Sequence, residues 1–184
     1  ANANTNVNRL IVGNEVVLRY ENQVDDLAPS ELFAHLDRVR RLTRQPVSTA
    51  EPWHIWLKYP EIVDHVDYIA IHLLPYWEGV DVETAVQHSI ERLHQVEQRF
   101  PDKPILIAAV GWPSDGRTRD AAVASPSNQA LFLRRFLAHA EREGYAYFVM
   151  EAFDQPWKEQ AEGQAGAYWG VYDADRNAKF EFRA

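Results

Sequence analysis

Asp67-Tyr68-Ile69-Ala70-Ile71-His72-Leu73 is the stretch whose reading decides the fold class. It is a nearly unbroken apolar run, bounded by polar residues and ending on a histidine. A strand apolar on both faces belongs to a sheet covered on both sides, as parallel sheets are. Working outward, the same kind of run recurs. Arg9-Leu10-Ile11-Val12 opens a strand that ends at Gly13-Asn14-Glu15, Gln45 to Thr49 gives a second, Lys103 to Val110 a fourth and Tyr145 to Phe153 a fifth.

Between these runs the apolar spacing turns helical. Pro29 to Arg44 carries Leu32, Phe33, Leu36, Val39 and Leu42 on one face, with Ser30 as the expected N-cap. A Pro-bounded helical stretch covers Ile55 to Val63. Val82 to Phe100 forms a long helix stopped by Pro101, and Ser127 to Glu143 forms another, closed by Gly144.

This alternation fits an α/β fold, either a doubly wound sheet or a (β/α)8 TIM barrel. The strand ends favour the barrel. Asn14/Glu15, Thr49/Glu51, His72 and Glu151/Asp154 follow four of the five runs, and barrels carry their chemistry at the C-terminal ends of strands. No Gly-rich phosphate loop supports a nucleotide-binding sheet. Five strands do not close a barrel that typically needs about 250 residues. The expectation is that residues 1–184 are the C-terminal portion of one barrel domain, its last five βα units. The N-terminal units would come from the same or another chain, and the piece alone would expose a parallel edge.

Composition removes several functions. A net charge of −8 and a pI near 5.3 leave no basic surface for nucleic acid. The cluster Arg38, Arg40, Arg41 and Arg44 is interleaved with apolar residues and reads as a solvated helix face. No apolar run reaches the roughly 18 residues of a membrane span, and with no cysteine there is neither disulfide nor thiolate site. The seven histidines are scattered, so no metal site is evident.

Six Trp, eight Tyr and eight Phe sit largely in polar company, as in Pro75-Tyr76-Trp77-Glu78, Gly111-Trp112-Pro113 and Gln155-Pro156-Trp157-Lys158. Aromatic rings beside polar loop residues offer flat platforms for sugars. Glu15 is the first chemical candidate, a carboxylic acid at a strand end beside an amide, Asn14, able to meet a substrate hydroxyl. Glycoside hydrolysis with retention needs a second carboxylate about 5–5.5 Å away as nucleophile, and requires no metal or organic cofactor. The strand through Ile105-Leu106-Ile107 runs into Ala108-Ala109-Val110-Gly111-Trp112-Pro113-Ser114 without a carboxylate before Asp115.

Val12-Gly13-Asn14-Glu15-Val16 and Val110-Gly111-Trp112-Pro113-Ser114 resemble the two signature segments of glycoside hydrolase family 17, the β-1,3-glucanase and glucanosyltransferase family. Trp169-Gly170-Val171-Tyr172-Asp173 also resembles that family, particularly its bacterial members. The resemblance implies a (β/α)8 barrel, β-1,3-glucan oligosaccharides as substrate, and Glu15 as general acid/base. It places the nucleophile glutamate at position 109, where this chain has Ala109. A methyl group forms no glycosyl-enzyme intermediate, so the chain as written is expected to be inert. The preferred explanation is a Glu→Ala change made to trap a bound glucan; the alternative is a natural glucan-binding pseudoenzyme.

By resemblance and by chemistry, other strand-end groups gain substrate roles: His72 and Tyr76 near the reacting centre, Thr49 and Glu51 toward ring hydroxyls. Glu151, Asp154, Gln155 and Lys158 offer acceptors and a donor, and Trp112 and Trp157 are the expected stacking platforms. Likeness to bacterial transferases tilts the expected activity toward glucanosyl transfer, with endo- or exo-hydrolysis as the alternative. It also suggests a periplasmic or membrane-associated setting, through parts outside this chain.

Overall fold

A computed structural model describes residues 1–24 and 27–181. The chain divides into two compact units, Ala1–His72 with Leu93–Ala108, and Leu73–Arg92 with Ala109–Ala184.

The first unit carries β1 (Leu10–Asn14), β2 (Val47–Pro52), β3 (Ile69–Leu73) as far as His72, and most of β4 (Ile105–Val110). They lie in chain order, with β1 parallel to β2 and β2 parallel to β3. All five residues of β3 are buried, as its apolar run required. The sheet is covered by α2 (Pro29–Leu42), through Leu32 and Leu36, and by α3 (Trp53–Lys58), through Ile55 and Trp56. Burying Trp56 leaves an indole N–H to satisfy, and it donates to the Ala70 carbonyl at 3.2 Å. On the sheet, Ala50, Tyr68, Ala70 and Leu106 pack into one cluster.

Four sequence expectations shift here. α2 starts with Pro29, not after Ser30, because proline fits the first helical position, where its missing N–H costs nothing. The Ala28 N–H is taken by the Glu31 carboxylate at 3.0 Å. β2 continues past Thr49 through Pro52. Val16–Glu21, read as no element, forms a short helix α1 directly after β1. The stretch from Ile55 to Val63 splits into α3 and a 3-10 turn, Pro60–His65, broken at Tyr59-Pro60.

In the second unit, α5 (Pro126–Glu143) is capped by Ser125, whose Oγ accepts from Asn128 N at 3.1 Å. It ends at Gly144, whose φ of 72° is the left-handed conformation glycine adopts without strain. The helix α4 (Val82–Arg99) is shared between the two units. β5 is only Tyr147–Val149, shorter than the predicted Tyr145 to Phe153, and Met150 N donates to Val110 O at 2.8 Å. The strand stops because Glu151 turns to the tail, donating to Trp169 O and accepting from Val171 N. Trp112, Trp169, Tyr76 and Phe132 form an aromatic core, all but Phe132 clustered around Tyr76. A short helix α6 (Glu159–Glu162) follows β5. Among the described residues no helix is long and apolar enough to cross a membrane.

Candidate active site

In the first unit, the ends of β1, β2 and β3 bring Glu15, Glu51 and His72 together. Gly13 (φ 86°) and Glu15 (φ 54°) turn the chain sharply out of β1, and Glu15 N donates to Ala50 O at 2.8 Å. Glu15 Oε1 lies 2.9 Å from His72 Nδ1, and the histidine is only 5% exposed. Burial works to raise the Glu15 carboxyl. The hydrogen bond and charge of His72, with the charges of Arg19 and His54, outweigh it and hold the carboxyl below its usual range.

Glu51 is fully buried, and its two oxygens accept from Val17 N at 2.9 Å and Leu18 N at 3.3 Å. Desolvation pushes its carboxyl up to about 7, against the pull of those two N–H groups. An acid raised in the folded state favours folding most when protonated in both states. That contribution is complete below the unfolded value of 4.5 and is lost as pH rises through about 7. Relative to Glu51→Gln, the unsubstituted protein should therefore lose stability between pH 5 and pH 8, by roughly 2–3 kcal/mol. Urea denaturation of both proteins at the two pH values checks this, and parallel behaviour would contradict it.

In the second unit, Glu151 Oε2 accepts from Lys158 Nζ at 2.8 Å and from Gln155 Nε2, joining three of the four polar residues expected after β5. Asp154 turns elsewhere. Its Oδ1 accepts from Gly170 N at 3.0 Å and from Lys179 Nζ at 2.5 Å, and Lys179 also donates to Ser114 Oγ at 2.6 Å. This ion pair is almost wholly buried, with side chains 11% and 7% exposed. Breaking one partner of such a pair strands a charge, so Lys179→Met should destabilise the protein by about 3–5 kcal/mol. Adding Asp154→Asn should restore most of the loss; a chemical-denaturation cycle on the three variants checks both.

The remaining expected residues take varied positions. Asn14 is exposed. Thr49 is buried with Oγ1 donating to Gly13 O at 3.3 Å. Tyr76 is buried, and its hydroxyl donates to the Arg117 carbonyl. Of the two expected platforms, Trp157 is 71% exposed, whereas Trp112 is wholly buried with Nε1 donating to Val123 O at 3.0 Å. Ala109 is 6% exposed, the last residue but one of β4. Sequence reasoning missed Lys179, Ser114 and Gln129, whose buried amide donates to the carbonyls of Trp112, Trp169 and Gly170. No group of three or more metal-ligating side chains occurs among the described residues.

Residues 1–170 match the model of the BtgE/BtgC glycoside hydrolase domain. The chain belongs to this glycoside hydrolase family. Membership agrees with the glycoside hydrolase family 17 resemblance carried by the segments around Glu15 and Trp112. The chain is 28% identical to a glucan 1,3-beta-glucosidase of Arthroderma benhamiae, over 93% of this chain and 59% of that protein. It is 27% identical to a glucan 1,3-beta-glucosidase of Schizosaccharomyces pombe, over 95% of this chain and 57% of that protein. Among solved structures, a family 17 beta-1,3-glucanosyltransferase from Rhizomucor miehei superposes with a TM-score of 0.84 at 31% identity. That match covers 97% of this chain and 65% of the fungal one. The fold is thus a partial (β/α)8 barrel of five strands alternating with helices. The chain spans about 60% of the length of the relatives it matches. These relatives are fungal, whereas the tail motif had pointed toward bacterial members.

Proposed function

We propose that this chain is the C-terminal part of a single β-1,3-glucan-active catalytic domain, with Glu15 as the acid/base and position 109 as the nucleophile position. The observation that carries the proposal is Glu15 itself. It is a half-buried carboxylate at a strand end, held on His72 Nδ1, in the segment that resembles the family's acid/base motif. The preceding βα units come from the same or another chain. No metal or organic cofactor enters the chemistry.

With a glutamate at position 109, its carboxylate attacks the anomeric carbon while Glu15 gives its proton to the departing glycosidic oxygen. In the second step Glu15 takes a proton from water or from a sugar hydroxyl. The oxygen so activated attacks the anomeric carbon, and the carboxylate at 109 leaves. A sugar acceptor gives transfer and water gives hydrolysis. The reading favours transfer, supported by the Rhizomucor miehei glucanosyltransferase among the most similar structures. With Ala109 the first step has no nucleophile, and the chain binds glucan without turning it over.

A substituted form of that fungal enzyme is known in complex with laminaritriose. Calorimetric titration of the complete protein with laminaritriose should accordingly give a dissociation constant of about 1 mM or tighter, a binding free energy of roughly −4 kcal/mol. No heat of binding at ten times that concentration would remove the glucan assignment.

A further inference from the structure

The first turn of α1 is capped by the wrong glutamate. Glu15 occupies its N-cap position but makes no side-chain capping bond. An N-cap side chain normally accepts from the backbone N–H two or three residues on, here Val17 or Leu18. Both of those groups are instead held by Glu51, which arrives from β2, more than thirty residues later in the chain. The Glu15 carboxylate is left to face His72 Nδ1 at 2.9 Å.

The arrangement needs an external support. Glu15 sits at φ 54° and ψ 33°, a left-handed conformation costing an ordinary residue roughly 1–2 kcal/mol. The backbone bond from Glu15 N to Ala50 O fixes one side of the turn, and the residue after Ala50 supplies the carboxylate that fixes the other. Both anchors therefore come from the end of β2. Without Glu51, Val17 N and Leu18 N would lose their acceptors, and Glu15 stands at the N-cap position from which a side chain normally reaches such groups.

We propose that Glu51 is a positioning residue: by capping α1 in place of Glu15, it keeps the Glu15 carboxylate on His72 and available for proton transfer. The inference rests on the assignment of Glu15 as acid/base, but its test reads the position of Glu15 and no turnover. A failure of the glucan assignment would therefore leave the result interpretable.

The test uses the tautomer of His72, read by 15N NMR in the complete protein at pH 8. A carboxylate on Nδ1 fixes the proton on that nitrogen; once the carboxylate leaves, the ring reverts toward the Nε2–H form. Glu15→Ala defines the signal of the broken contact. Glu51→Ala should reproduce that signal, with the Nδ1–H population falling at least about twofold although residue 15 is untouched. Glu51→Gln accepts from only one of the two N–H groups and should give a partial fall, which serves if the alanine variant does not fold. A histidine that keeps its Nδ1–H signal in a folded Glu51 variant overturns the proposal. So does a signal unchanged by Glu15→Ala, because Glu15 would then not be holding the ring.

Discussion

Ala109→Glu, made in the complete protein, should turn on processing of β-1,3-gluco-oligosaccharides, with kcat/KM rising by on the order of 10⁴–10⁶. The size follows from the role. A nucleophile that forms a covalent intermediate divides one difficult displacement into two easier ones, and a methyl group supplies no part of that path. Ala109 is buried near the end of β4, with Val110 still in the strand beyond it. A glutamate there is placed by the strand and not by a mobile loop. Circular dichroism of the variant separates misfolding from lack of activity. Chromatography of products from laminarihexaose gives a second reading. Products longer than the substrate identify a transferase, exclusively shorter ones a hydrolase. A folded variant yielding neither would favour a glucan-binding pseudoenzyme.

The second large effect concerns Glu15. In the Ala109→Glu background, Glu15→Ala should lower kcat/KM on laminari-oligosaccharides by about 10²–10⁴, the usual worth of a positioned proton donor. On an aryl β-glucoside whose leaving group needs little protonation, the first step should suffer far less. The contrast between the two substrates separates a proton donor from a residue that merely binds sugar, which would affect both alike. Equal losses on both substrates would remove Glu15 from the acid/base role.

The parts of the molecule legible from sequence are those set by local pattern. β3 and β4 were visible because a strand buried on both faces must be apolar throughout, and α2, α4 and α5 because their apolar residues recur at helical spacing. What escaped depends on contacts distant in the chain. α1 is six residues long, too short for periodicity, and is capped by Glu51 from another strand. β5 ends early because Glu151 pairs with Trp169 and Val171, a partnership no local pattern announces. Trp112 looked like a sugar platform because it stands in a polar loop motif, yet Tyr76 and Phe132 enclose it. Lys179 carried no signal, being a single lysine in a polar tail until Asp154 and Ser114 are seen around it. The roles proposed for Glu15 and position 109 come only from the paired motifs, because a lone carboxylate at a strand end is common and an alanine in a strand is unremarkable chemically.

The assignment of position 109 is most directly tested by trapping the covalent intermediate. The complete protein carrying Ala109→Glu is incubated with a 2-deoxy-2-fluoro laminaribiosyl fluoride, which slows breakdown of the glycosyl-enzyme, then digested and sequenced by mass spectrometry. The expected result is one glycosyl adduct on the peptide spanning position 109, absent from the unsubstituted protein. An adduct on another carboxylate, or none on a folded variant that binds laminaritriose, would contradict it.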